Sequence, residues 1–540
     1  MQSVRRIILT VSSAWLAVAG FTSALSSVKG KPFPSLIDVT IDDLQEGLRS
    51  GLFSSVDLVN AYLARIQEVN GTLHAVTEVN PDALHIAREL DSMRVNGKNL
   101  SPLHGVPILI KNNIATKDKM DNSAGSWALV GAKVPVDSFM VQKLRKAGAI
   151  ILGKTNLSQW ANYRSSNSSN GWSAHGGQVL APYYPNQDPS GSSSGSGVAS
   201  ALGLALASLG TETSGSILSP AQKNNLVGIK PTVGLTSRHL VIPISEHQDT
   251  IGPMARTVKD AAIILEAIAG FDPKDNYTHA IPHCGKIPHY AARLDAEYLK
   301  EARIGVPYNV LPGSNTSEDM VAFWSAVELM QSEGATIVDA SWADANAPTS
   351  AAILPADFIS NLASYLAELT VNPNNIHSLE ELREFTQSFP LEQYPDRDTA
   401  AWDSALDLGY NNTDFRFWAA LQMNYYAGGE AGLLGAYERN GVDAIVMPSS
   451  NSPGFAAIVG APVVTVPMGF YPEDTEVVTN SRGLVTRGPN IPYGLSFLGG
   501  KFTEEKLIKV AYAYEQKTLV RNRVQPYVVP TAEIGDFAGF

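Results

Sequence analysis

The chain has 540 residues, 44% of them hydrophobic, with 40 Lys plus Arg against 52 Asp plus Glu and a net charge of −12. That is enough apolar material for a large core. It is also acidic and lightly charged, whereas a nucleic-acid surface needs clustered Lys and Arg. The single cysteine, Cys284, excludes an intrachain disulfide and any cysteine-based zinc or iron–sulfur centre.

Residues 1–24 have the pattern of an export signal. Arg5 and Arg6 precede a mostly apolar run, Ile7 to Ala19, and Thr22 to Ala24 offers small residues for cleavage. The run is short of the roughly 20 residues that span a bilayer, so stable membrane insertion is not expected. Sequons at Asn70, Asn99, Asn156, Asn167, Asn276, Asn315 and Asn411 fit a secreted glycoprotein.

Beyond residue 35 the pattern is helix-rich. Ser54 or Ser55 can cap a helix running to about Asn70, and Asn80-Pro81-Asp82 starts another that ends near Gly97. Val106–Ile110 and Ala149–Leu152 have strand character, with a helix over Val141–Ala147 between them. Val198–Leu209 is expected as a small-residue helix and Thr257–Ala269 as an amphipathic one. Further strands are expected at 303–306, 336–339, 443–447, 463–466 and 494–498, and a closing helix at Thr503–Lys517. The alternation predicts one α/β domain over 35–530, a sheet covered by helices. Residues 341–415 carry no strand signal and are expected to form a helical excursion, with the substrate pocket somewhere in 341–455.

Residues 189–216 concentrate the chemistry. A Gly/Ser stretch, Pro189 to Gly197, is followed by an apolar segment and a second polar turn, Gly210 to Ser216. A free linker would not be followed at once by an apolar helix. A phosphate-binding loop needs a lysine after its glycines, and 195–200 has none. Gly191 to Gly195 also spells a nucleophile elbow centred on Ser193. That elbow must follow a strand, and Pro182, Pro185 and Pro189 exclude a central strand there.

A third reading rests on a series of motifs in order. They are Gly105-Val-Pro-Ile-Leu-Ile-Lys111, Gly153-Lys-Thr-Asn-Leu-Ser-Gln-Trp160, the Gly/Ser stretch and Gly210–Ser216. Leu226-Val-Gly-Ile-Lys-Pro-Thr232, Gln248-Asp-Thr-Ile-Gly-Pro-Met-Ala-Arg256, Ala461–Gly469 and Gly494–Gly499 follow. This series resembles the amidase signature family from about residue 38 to 520. The run 158–178 resembles the subgroup that contains bacterial peptide amidase. The resemblance implies a mixed central sheet covered by helices, hydrolysis of an amide or peptide amide, and no cofactor or metal. It places the nucleophile on Ser216 and a bridging serine, in a cis peptide with its preceding glycine, on Ser192. The base falls on Lys111, and the oxyanion hole on backbone N–H groups of Thr213, Ser214, Gly215 and Ser216.

Those roles are chemically coherent. A serine hydroxyl is a weak nucleophile and needs a base. Lysine serves as one only when neutral, so it must be buried. Lys111 closes an apolar run, where burial is expected. The sequence departs from the family at Asn112, Glu212, Ser214 and Leu218, where Asp, Asp, Gly and Arg are common; the missing cation at 218 disfavours acidic substrates. His279 and His283, beside Cys284, are separated by Pro282 and read as loop histidines, not metal ligands. The same triad would serve an esterase, and the same fold a silent amide-binding protein. A transamidating subunit acting on charged tRNA also shares the fold, but fits poorly with an export segment and a net charge of −12.

Overall fold

The computed structural model describes residues 27–28, 31–313 and 316–539. The expected export segment and the sequon at Asn315 lie outside these residues. Eleven strands make one sheet: β1 (Val76–Val79), β2 (Pro107–Lys111), β3 (Ile150–Thr155), β4 (Ala207–Glu212), β5 (Val227–Lys230), β6 (Thr250–Ala255), β7 (Arg303–Val306), β8 (Thr336–Asp339), β9 (Ala444–Pro448), β10 (Val463–Phe470) and β11 (Pro492–Leu498). Their spatial order is β8-β7-β9-β11-β10-β5-β6-β4-β2-β3-β1. Pairs β2–β3, β2–β4, β7–β8 and β7–β9 are parallel. The rest are antiparallel, so the sheet is mixed as expected.

The interior strands are buried along their whole length because helices cover both faces. Helices Ser55–Leu73 and Val258–Ile268 start at Ser54 and Thr257, whose side chains accept from the third helical N–H. The closing helix is Glu504–Thr518.

One expected element is wrong. Val198–Leu209 is not a single helix. The helix is Ser194–Ala201, and Ala207 already belongs to β4. The chain turns at Gly203, which has φ of 59°. A side chain there would place its Cβ 2.2 Å from the Leu36 carbonyl oxygen. Small residues suit a tightly packed helix and a strand buried on both faces equally well, so composition alone did not separate the two.

The sequon at Asn156 cannot carry a glycan in the folded chain. Its side chain is fully buried and donates to the His74, Gly176 and Gly177 carbonyls.

Among the described residues between 340 and 443 there is no strand. Helices Ile353–Ala367, Leu379–Ser388, Ala400–Asp407 and Phe415–Gly428 form the expected excursion. Phe358, Leu362, Leu379 and Trp402 pack on Leu129, Leu157, Trp160 and Ile244, segments next to the Gly/Ser region. A buried ion pair locks this contact. Arg164 donates to Glu392 at 2.8 Å, with the two side chains 2% and 0% exposed. Ser126 Oγ, Trp127 N and Gln159 Nε2 also donate to the Glu392 carboxylate. Removing that charge strands a buried guanidinium. Glu392→Gln should therefore lower unfolding free energy by about 3–5 kcal/mol in a denaturant titration.

Candidate active site

The helix Ser194–Ala201 leaves the Gly/Ser loop, and β4, inside the sheet, brings the chain back to the loop. Loop and turn therefore meet: Ser193 N donates to Ser216 O at 3.1 Å. The serines between them serve packing. Ser193 Oγ donates to Thr211 O, and Ser196 Oγ to Leu209 O. Gly195 is required, because a Cβ there would sit 2.2 Å from the Ala75 carbonyl oxygen.

Lys111 ends β2, which lies between β3 and β4 inside the sheet. Its side chain is fully buried. Nζ lies 2.7 Å from Ser192 Oγ and donates to Thr211 Oγ1 at 2.8 Å and to Thr211 O at 3.1 Å. Burial lowers its pKa to about 7, opposed by the negative charges of Asp249 and Glu212. The Gly191–Ser192 peptide is cis. Asn112, where the family commonly has Asp, turns away: it accepts from Ser123 N and Oγ and donates to Thr77 Oγ1.

Two other lysines are equally buried. Burial lowers Lys154 to about 7 and Lys230 to about 8. Lys154 donates to Ile114 O and Asn122 Oδ1, and Lys230 to Pro231 O and Ala461 O. Those partners have no proton to give. Of the three amines, only Lys111 lies against hydroxyl groups, and only it is equipped to take a proton.

Ser216 sits on the turn after β4, 8% exposed, beside Thr213 at 8% and the exposed Ser214. Among the described residues no group hydrogen-bonds to its Oγ. Lys111 and Ser192 are thus directly joined, while Ser216 reaches this pair through the backbone of Ser193. Catalytic contacts of this kind often tighten only with substrate bound.

The turn is held by Glu212, a residue whose role the motif comparison did not reveal. Its buried carboxylate accepts from Gly215 N at 2.7 Å, Ile217 N at 2.7 Å and Leu218 N at 3.0 Å. Gly215 has φ of 85°, which a residue with a side chain seldom adopts. Its N–H is spent on Glu212 and is not free for an oxyanion, whereas among the described residues those of Ser214 and Ser216 have no acceptor. Leu218 is fully buried in an apolar cluster with Ile445, Ala456 and Val463, so it does not line the open side of the site.

Among the described residues, one group has metal-ligand character: Glu246, His247 and Asp357. Its atoms are occupied by one another and by neighbours. Asp357 accepts from Ser245 Oγ, His247 Nδ1 and Asn412 Nδ2, and Glu246 from the same Asn412 nitrogen. The group ties the excursion to the segment 244–249. His279, His283 and Cys284 are exposed, on short helical turns either side of Ile281 and not on a loop as expected.

The amidase family model matches residues 57–457. The chain belongs to the amidase family. It is 53% identical over 528 residues to an amidase-named protein of Arthroderma benhamiae, covering 93% of this chain and 89% of the relative. A probable amidase of Arabidopsis thaliana is 37% identical, with 96% of this chain and 97% of the relative covered. In structure the chain is similar to native peptide amidase from Stenotrophomonas maltophilia, with TM-score 0.81, 37% identity, and 93% and 100% of the two chains covered. These likenesses bear out the mixed α/β fold and identify an amide-cleaving hydrolase of the peptide amidase-like subgroup.

Glu212→Gln offers the turn one acceptor oxygen and one donor in place of two acceptors. Misplacement of Ser216 by about 1 Å should cost roughly 10–100-fold in kcat/KM. Steady-state kinetics on any amide the protein cleaves, with a melting curve as the folding control, measures this.

Proposed function

We propose that the protein hydrolyses carboxylic acid amides through an acyl-enzyme on Ser216, with Ser192 relaying protons to and from Lys111. The observation that carries this reading is the three-fold contact of Lys111. A neutral amine has two N–H groups and one lone pair. Thr211 O can only accept, so it takes one N–H, and Thr211 Oγ1 takes the other. The lone pair is then left for the hydroxyl of Ser192, whose Oγ lies 2.7 Å from Nζ.

The steps follow from that arrangement. Ser216 Oγ attacks the amide carbon as its proton passes to Ser192 and the Ser192 proton passes to Lys111. The resulting oxyanion is met by N–H groups of Ser214 and Ser216, with Thr213 beside them, while Gly215 shapes the turn. Collapse returns the proton through Ser192 to the leaving nitrogen, which departs as ammonia or an amine. Water then attacks the ester by the same route, releasing the acid and restoring Ser216.

Peptide amides are the substrate class we propose. The support is the 37% identity to peptide amidase, a structure also known in complex with the competitive inhibitor chymostatin. Pro453 lies against the nucleophile's turn, where a Cβ on Gly215 would approach it to 3.3 Å. This fits a pocket built from the 341–455 region. No described helix is long and apolar enough to cross a membrane. Arg5, Arg6 and the following apolar run support export, with the mature chain starting near Leu25. N-terminal sequencing of protein from culture medium tests this, and intact Met1 chain found only inside cells would refute it.

Ser216→Ala should lower kcat by about a thousandfold or more, as loss of a nucleophile does. A fluorophosphonate should label Ser216 and not Ser193. Activity should fall as the pH drops through about 7, because Lys111 then binds a proton and loses its lone pair. Lys111→Ala should be nearly inactive. Lys111→Arg should not restore activity, since Arg stays protonated; near-normal kcat/KM in that variant would overturn the base role.

A further inference from the structure

We propose that Asp249 is a positioning residue for the reaction: it holds Thr213, beside the nucleophile, and its carboxylate faces the Lys111 network across a space that fits one water molecule. This rests on the amide-hydrolase reading of the site.

Four observations converge. First, Thr213 Oγ1 donates to Asp249 Oδ1 at 2.6 Å. Second, Asp249 Oδ2 accepts from Ile244 N at 2.7 Å and Ser245 N at 3.0 Å, so the carboxylate is fixed from the other side. Third, Asn113, Thr211, Thr213 and Asp249 line a small pocket of about 10 Å³, with Arg238 also on its wall. That is near the minimum for a single water. Fourth, Asn113 Oδ1 is buried there with no hydrogen-bond partner, and Asn113 as a whole is 2% exposed. A buried acceptor of this kind calls for a donor.

The polar groups suit one water. Thr211 Oγ1 already accepts from Lys111 Nζ and Asn113 Nδ2, so its own proton is free to donate. A water in the cavity can accept that proton and donate to Asn113 Oδ1 and Asp249. The chain Lys111–Thr211–water–Asp249 then joins the amine to a carboxylate that also holds the nucleophile's turn.

The surrounding charges leave Asp249 in this role. Glu212 faces Lys111 from the end of β4 but spends its oxygens on three N–H groups. Arg238 acts on Asp249 yet is held by two bonds to Asp275. Glu246 and His247, on the same segment, are engaged by Asn412 and Asp357. Burial raises Asp249 to about 6, so it is ionised where the acid limb lies, and its negative charge favours the ammonium form of Lys111.

The test is the rate of fluorophosphonate labelling at Ser216 against pH, in the unmodified protein, Asp249→Asn and Thr213→Val, with melting curves for each. Removing the Asp249 charge should ease deprotonation of Lys111, moving the acid limb to lower pH by about half a unit or more, while labelling slows. Thr213→Val should slow labelling about tenfold and leave the limb in place, since only the link to the turn is lost. A purely structural Asp249 would slow labelling without moving the limb; a folded Asp249→Asn with an unmoved limb overturns the proposal. Should Asp249→Asn fail to fold, an unaltered labelling rate in Thr213→Val overturns it. If the unmodified protein is not labelled at Ser216, the amide-hydrolase reading itself fails, which is a distinct result.

Discussion

The site depends on keeping an amine dry. Lys111 is fully buried, and no carboxylate touches its Nζ. Desolvation is then the dominant influence on its charge. Most of the sheet's architecture serves that condition. β2 can deliver a side chain to the interior only because β3 and β4 flank it and helices cover both faces. A lysine at the end of an edge strand would meet water and remain an ammonium ion. The same burial demands partners for every N–H, and Thr211 supplies two of them from the neighbouring strand.

The Gly/Ser composition answers a second demand. Ser192 and Ser216 must come together from positions 24 residues apart. A helix and a strand run in opposite directions between them, and each must pack closely on the other. Ser208 Oγ donates to Ser196 O, and a Cβ on Gly210 would lie 2.8 Å from Ser193 Oγ. Small residues are needed for that approach, and hydroxyls satisfy backbone groups that close packing leaves without water. What reads in one dimension as a linker is in three dimensions a dense buried hairpin.

How much of this was legible follows from the same physics. β7, β9, β10 and β11 were visible because they contain short apolar runs between polar turns. β4, β5 and β6 were not, since their small and polar residues give no period, and β1 is four residues with polar Thr77 and Glu78 at its centre. The first half of β4, Ala207–Leu209, reads as the end of a helix, and its second half as a polar turn. Lys111, Ser192 and Ser216 were legible only through the motif series; composition alone favours a surface lysine and two turn serines. Glu212 and Asp249 lie inside those same motifs, but their roles are matters of distance. Nothing along the chain says that Glu212 takes three N–H groups or that Asp249 reaches Thr213. The one available signal was an acidic residue entering a Gly/Ser turn that leads into the helix Leu218–Lys223, where free N–H groups need an acceptor. That acceptor is also why Gly215 drops out as an oxyanion donor.

The three buried lysines show what separates a working base from a structural cation. Burial is equal, and the downward shift is similar for Lys111 and Lys154. An active-site search by perturbed pKa would rank them together. Partner chemistry divides them. Carbonyl and amide oxygens accept N–H groups but can return no proton, so Lys154 and Lys230 can only tie strands to loops. Hydroxyls accept and donate. Adding the hydroxyls of Ser192 and Thr211 beside one carbonyl contact turns the same buried amine into a group that can exchange protons with a nucleophile. The fold therefore had no need of a special lysine. It needed two hydroxyls at one lysine, and the Gly/Ser loop and β4 are the elements that bring them there.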